Sequence, residues 1–428
     1  MASFSINNAE SAKLKAGPRL ILWLDYEGAV KCYTDAIRLD ASDPNYPLNR
    51  CFAYLRLGRW IDAEHDATAV LTLDDHNLKA LYRRSLARKE WKDFTGARAD
   101  LLAFADAGGD MKTVIEENIK LATAEANAVM LAADTPACGV RMAPSEGCGI
   151  GIFATRPFCC GDLIVVEKPL YTVKNRTHKN IMEEIENLND DEHFQMMQLH
   201  NNSPESFPTP FIGIHHTNTF GIDKGSSVLC LRISRFNHSC SLNTRFAWHA
   251  KTNTARVFAL RPIAVGEEIF HWYRKPYKST RTQRQELLSD FKFVCTCSAC
   301  TLPEDQQAAS DSRRKEIGRL WEVSFDIPLS QAVWRVQTDT RVVHLLCSEG
   351  IADETDLFTV NAAIMCAYHG DWESAKYWAL DTYKAHVHQF GADCHERTTT
   401  ELMWQLLCNP RGLEGAGKGK RKIISTRL

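Results

Sequence analysis

Arg235-Phe236-Asn237-His238-Ser239-Cys240 is the stretch whose reading decides the middle of this chain. Upstream lies Gly147-Cys148-Gly149-Ile150-Gly151-Ile152-Phe153, then Asp162-Leu163-Ile164-Val165-Val166-Glu167, an apolar run that reads as a strand. Downstream come Asn243, Gly266-Glu267-Glu268-Ile269, Tyr273, and the cysteines 295, 297 and 300. Glycines at alternate positions beside a strand let a ligand approach the backbone closely. The run is no dinucleotide fingerprint, because neither a helix pattern nor a suitably spaced acidic residue follows it. Taken singly, Asn237 and His238 read as hydrogen-bonded turn residues and Tyr273 as a core aromatic. Their order and spacing together read as a site.

These segments resemble the SET-domain lysine methyltransferases, whose hallmarks are a GxG strand, an NHSC segment and a GEE(L/I) followed by Tyr. The resemblance covers residues 138–302 and implies S-adenosylmethionine as methyl donor. It assigns donor binding to Gly149, Ile150 and Gly151, and to the side chains of Asn237 and His238. Tyr273 becomes the catalytic residue, aligning the methyl group and the target amine. Asn218, in Asn218-Thr219-Phe220, matches the cofactor-contacting Asn of the SMYD branch, and Phe293 becomes an aromatic lid over the donor. Methyl transfer from a sulfonium is an in-line displacement, so orientation and water exclusion do most of the work.

Cys295, Cys297 and Cys300 place three thiols within six residues, one short of a structural tetrahedral site. The resemblance names Cys240 as the fourth zinc ligand. Two departures from the SMYD branch stand out. Leu242 replaces the usual Pro before Asn243, and the insertion at about 174–216 contains no cysteine, so the MYND finger is absent. That insertion reads as acidic and helical from Met182 to Met197.

A second pattern occupies the first hundred residues. Tyr26, Trp60 and Phe94 fall in register at a period of 34, as do Ala29, Ala63 and Ala97, and then Cys32, Asp66 and Asp100. An aromatic followed three positions on by a small residue at this period is the tetratricopeptide (TPR) signature. Stacked hairpins supply one another's core, since none buries its apolar face alone. The leading helix of the first copy would run through Ala16-Gly17-Pro18, and an interior Pro costs a helix about 3 kcal/mol. The repeat resembles the class that grips peptide C-termini with a carboxylate clamp. Asn49, Lys79 and Arg83 match its positions, whereas Leu14 and Pro18 cannot serve.

From Asp305 the pattern is helical again, and Gly370-Asp371-Trp372-Glu373-Ser374-Ala375 repeats the aromatic-to-Ala spacing. The reading is therefore an α+β multidomain protein. Helical repeats fill 1–133, beginning a new segment at the loop Asp134-Thr135-Pro136-Ala137. A β-rich SET fold fills 134–280, a post-SET zinc segment 281–302, a C-terminal helical lobe 303–410, and a disordered basic tail 411–428.

Composition sets bounds. Lys plus Arg (51) nearly balances Asp plus Glu (53), which excludes a global pull toward nucleic acid or acidic membrane. Fifteen cysteines without a secretory signal imply reduced thiols in nucleus or cytoplasm. No apolar run is long enough to span a membrane. The expectation is a monomeric methyltransferase acting on lysines of protein or peptide substrates, with a further peptide partner possible on the TPR face. A non-catalytic TPR/SET adaptor is the alternative.

Overall fold

The computed structural model describes residues 25–133, 138–351, 354–394, 402, 405–413 and 415–419. The damaged leading helix of the first repeat, with Leu14 and Pro18, and the loop 134–137 lie outside the described residues. The chain divides into one unit up to Glu125 and another from Ala126 onward.

The first unit is built from α1 (Tyr26–Leu39), α2 (Asn45–Arg56), α3 (Trp60–Leu73), α4 (Leu78–Glu90), α5 (Phe94–Asp106) and the start of α6 (Met111–Ala132). Tyr26, Trp60 and Phe94 each open a helix, and Ala29, Ala63 and Ala97 are each fully buried one turn later. The small side chain admits the neighbouring helix at close range, which is why the pair recurs. Asp25 and Asp93 cap their helices by accepting from the backbone N–H groups of Gly28 and Gly96.

Beneath this lies a repeated ion pair. Arg50 grips Asp66 with two N–H donors at 2.7 and 2.8 Å and reaches Thr34 Oγ1 at 2.9 Å. Arg84 repeats the arrangement one period later, on Asp100 at 2.7 Å and on Thr68 Oγ1 at 3.2 Å. Asp66 and Asp100 are both buried. Each carboxylate locks two consecutive hairpins, so the register noted in the sequence is electrostatic as well as apolar.

The second unit places four small sheets around one core. β1 (Val140–Ser145) pairs antiparallel with β2 (Gly149–Ala154). β3 (Leu163–Glu167), β9 (Thr254–Ala259) and β8 (Thr244–His249) form one antiparallel sheet. β4 (Tyr171–Lys174), β6 (Ser226–Leu229) and β5 (Thr219–Gly221) form another. β7 (Asn237–His238) and β10 (Phe270–His271) are parallel. Ile152, Phe158, Val165, Val228, Val257 and Ile269 meet in the shared core, and each such buried side chain stabilises the fold by about 1.5–3 kcal/mol.

The insertion is three short helices rather than one run: α7 (His178–Glu186), α8 (Asp190–Met197) and α9 (Pro210–Asn218). The expected helix from Met182 to Met197 breaks because Asn189 forms a capping box with Glu192, starting α8 afresh. Ile181, Ile185, Met196 and Ile212 pack this layer onto Tyr171 and Leu229 of the β4–β6 pair.

After α10 (Arg281–Leu287), the C-terminal helices are α11 (Glu304–Asp326), α12 (Ala332–Ser348), α13 (Asp356–Tyr368) and α14 (Trp372–Phe390). Asp371 caps α14 as Asp25 and Asp93 cap theirs. Asp393, just past α14, bolts this lobe to the sheet. Its carboxylate takes Arg256 Nη1 at 2.7 Å and its carbonyl lies 3.0 Å from His249 Nε2, all three residues being buried. In the stretch expected to be disordered from Arg411, Gly417 and Gly419 donate to the carbonyls of Ala367 and Tyr368, each at 3.0 Å, so residues 415–419 pair with the end of α13.

Asp393→Ala would strand a buried guanidinium, an effect of about 3–5 kcal/mol. Urea unfolding of the chain should show the second unit's midpoint falling sharply, with the first unit's transition unmoved.

Candidate functional site

The site forms where the motif segments cross. β2 does not simply pair with β1, because residues 266–269 run along its other edge: Gly266 N and Ala154 O are 2.8 Å apart, and Ile269 N and Ile152 O 2.7 Å. Asn243, fully buried, pins this segment to the motif. It donates to Glu268 O at 2.9 Å and accepts from Phe270 N at 2.7 Å. The motif's own strand is then held by Ser239 N, which donates to His271 O at 3.0 Å. On its upstream side, Glu167 accepts from the backbone N–H groups of Arg232 and Ile233, both at 2.9 Å, fixing the turn that delivers Phe236.

Gly149 and Gly151 have different reasons for being glycine. Gly149 has φ +79°, a conformation other residues rarely adopt, and a Cβ there would meet nothing within 4 Å. The space beside it is open. Gly151 is crowded: a Cβ would lie 2.1 Å from Glu268 Oε1 and 3.0 Å from Asn237 Nδ2. The Glu268 carboxylate crosses over Gly151, accepting from Asn237 Nδ2 and from Ser145 Oγ, each at 2.8 Å. Asn237 Nδ2 also reaches Ile150 O at 3.3 Å. One carboxylate thus ties β1 to the motif across the glycine strand.

Tyr273 stands at the far side of the same crossing. Its hydroxyl donates to Phe236 O at 3.2 Å, and its ring lies 4.9 Å from Phe291, 5.4 Å from His238 and 6.2 Å from Phe293. Burial, with Cys148 and Glu268 nearby, raises its pKa above the ordinary phenol value, so it stays a neutral phenol. Phe293, expected as a lid over the donor, packs beside Tyr273 and His238. Phe291 belongs to the same aromatic wall and was not singled out from the sequence.

His238, expected to hold the donor with its side chain, has both ring nitrogens engaged within the protein. Tyr273 N donates to Nδ1 at 3.0 Å, which assigns the proton to Nε2, and Nε2 lies 3.3 Å from Cys240 Sγ. Burial depresses the ring's pKa to about 4, keeping it neutral. Asn218 Nδ2 donates to the carbonyls of His200 and Ile214, each at 2.7 Å, so toward a ligand this side chain offers its Oδ1.

The four cysteines do converge. The Sγ atoms of Cys240, Cys295, Cys297 and Cys300 lie within 4.8 Å of one another, with Cys240 at 3.7 Å from Cys300 and 4.0 Å from Cys295. Tetrahedral zinc with Zn–S bonds of about 2.3 Å requires sulfurs about 3.8 Å apart. The donor set fits that ion. Mutual hydrogen bonding among the thiols pushes Cys240 up and Cys297 down from the ordinary thiol pKa.

On the first unit, the clamp positions are less coherent. Lys79 is exposed and Asn49 half-buried, while Arg83 donates to Leu48 O at 2.5 Å and covers the Phe52 ring at 5.2 Å. Among the described residues, Arg83 is turned toward α2 rather than outward.

Residues 149–274 match the SET domain family. This chain carries a SET domain. The SET-bearing chain is 28% identical over 247 residues to histone-lysine N-methyltransferase set5 of Schizosaccharomyces pombe, covering 57% of itself and 77% of that protein. It is 36% identical over 75 residues to RNA polymerase II-associated protein 3 of Xenopus tropicalis, 18% of this chain and 11% of that protein. A solved structure titled as the first TPR of Spaghetti bound to an HSP90 peptide aligns at 28% identity over 24% of this chain and 80% of that one, with a TM-score of 0.23. Among the described residues, no helix is long and apolar enough to cross a membrane.

The crowding at Gly151 gives a paired test of the SET geometry. Gly151→Ala alone should abolish donor binding in a calorimetric titration, because the Glu268 carboxylate must move. Adding Gly151→Ala to a Glu268→Ala chain should weaken binding less than threefold further, by the non-additivity expected of touching residues. Equal penalties in both backgrounds would show that Glu268 is not what Gly151 accommodates.

Proposed function

We propose that this chain is a protein-lysine methyltransferase using S-adenosylmethionine as methyl donor. The observation that carries the reading is the meeting of Asn237, Gly149–Gly151 and Tyr273 at one crossing of strands. Support comes also from the SET domain match and from the relative named as a histone-lysine N-methyltransferase. Against the adaptor alternative stands the retention of Tyr273, Asn237 and all four clustered cysteines, whereas the clamp positions of the repeats are incomplete.

S-adenosylmethionine supplies a methyl group already activated on a sulfonium. The protein's share is placement and exclusion of water. The open edge beside Gly149 offers backbone N–H and C=O groups to the donor, and Glu268 holds the Asn237 amide so that its Oδ1 is presented in one orientation. The Tyr273 O–H donates to Phe236 O, which orients the oxygen lone pairs toward the reaction space, where they align polarised C–H groups of the methyl. The acceptor lysine reacts as a neutral amine. Seating beside Tyr273, Phe291 and Phe293 desolvates it and disfavours the ammonium form.

Cys240, Cys295, Cys297 and Cys300 hold a structural zinc ion in this reading. The ion cross-links the motif to the segment carrying Phe291 and Phe293, so the aromatic wall is fixed relative to Tyr273. The substrate is a lysine-bearing protein or peptide.

Tyr273→Phe should lower transfer of labelled methyl groups to lysine by about 100-fold, the loss that a misplacement of about 1 Å causes. Donor affinity should stay within about threefold, because the ring and its contacts remain. Unchanged transfer by the variant would remove Tyr273 from the reaction.

A further inference from the structure

Arg284, at the middle of α10, is 1% exposed and is used by none of the roles described above. Nη1 donates to Ser279 O at 2.9 Å, and Nη2 donates to Ala299 O at 3.0 Å. Nη2 also lies 3.8 Å from Cys300 Sγ, and Nε has no hydrogen-bond partner. The carboxylate in reach is Asp311 Oδ1, 3.9 Å from Nη1 and a quarter exposed. That oxygen already accepts from Arg281 N at 2.8 Å and Gln307 Nε2 at 3.0 Å. A guanidinium sealed in the interior is strongly disfavoured unless a counter-charge lies close.

Arg314 makes the contrast. It is also fully buried, but Glu349 meets its Nε at 2.8 Å and Pro276 O its Nη1 at 2.9 Å. Arg284 has no such carboxylate. What it does have is the sulfur cluster. Four protonated thiols offer no charge to balance a cation. Four thiolates around a divalent metal ion carry a net charge of −2.

We propose that Arg284 is the buried counter-charge of a dianionic four-thiolate metal centre, with Cys300 Sγ as its contact atom. The inference rests on the reading that the cysteines bind zinc. It adds that the protein balances the charge that the four sulfurs retain. His238 Nε2–H, on Cys240 Sγ at 3.3 Å, supplies a second N–H donor to a different sulfur of the cluster. Donors of this kind orient ligands and set metal affinity. The arrangement also connects the metal to the reaction centre, since the other nitrogen of His238 accepts from Tyr273 N.

The test uses the full chain and Zn²⁺ itself, in competition with a chromogenic chelator. Arg284→Gln should loosen Zn²⁺ by about 10–100-fold, the usual consequence of removing such a partner. Arg284→Lys keeps the charge and should stay within about threefold of the unaltered chain. Unaltered affinity in Arg284→Gln, or an equal loss in Arg284→Lys, would overturn the proposal. An unaltered chain that binds no Zn²⁺ would remove the zinc reading itself, whereas tight Zn²⁺ binding indifferent to Arg284 removes only the counter-charge.

Discussion

Cys240 is the point at which the motif meets the segment that carries the other three cysteines. It belongs to the six-residue motif that also contains Asn237 and His238, yet its sulfur lies among Cys295, Cys297 and Cys300, at 4.0 Å from the first and 3.7 Å from the last. Without a cross-link there, a half-exposed segment rich in small and polar residues would have little to hold Phe291 and Phe293 against Tyr273. The apolar contacts around the cluster are few: Leu288 is the one buried aliphatic side chain grouped with the cysteines. Hydrophobic burial cannot supply what a metal–thiolate cross-link supplies.

Polar groups do the same work elsewhere in this unit. Asn243 knits the motif to residues 268–270, Glu268 spans from Ser145 to Asn237, and Asp393 ties the C-terminal helices to β8 and β9. Each is a short, directional bond between segments distant in sequence. Such bonds fix position to fractions of an ångström, which apolar packing alone does not. That suits chemistry in which orientation is the protein's main contribution. The repeats of the first unit use the same device for another end, since Asp66 and Asp100 set hairpin register.

Much of this was legible because the signals were periodic or clustered. The 34-residue register located three helix starts and three buried alanines, and Gly370-Asp371-Trp372 marked another helical turn by the same local chemistry. The clustered cysteines announced a four-sulfur group once Cys240 was joined to them. What stayed hidden was direction. Adjacent motif residues alternate in where they point, so the spacing that brought His238 to the site could not say that its ring turns to Cys240 and the Tyr273 backbone. The same holds for Asn218, whose amide protons turn to the carbonyls of His200 and Ile214. Arg284, Glu268 and Asp393 act through partners 16, 31 and 137 residues away, and no local pattern marks such pairs.

The central claim is that the four-cysteine cluster and the methyl-transfer centre are one structure. Calorimetric titration of S-adenosylmethionine into the zinc-loaded chain, and again after chelation and removal of the metal, tests it directly. The account predicts one donor bound per loaded chain, and at least a tenfold loss of affinity on stripping that zinc alone restores. Donor binding unchanged by removal of the metal, or absent from the fully loaded chain, would contradict it.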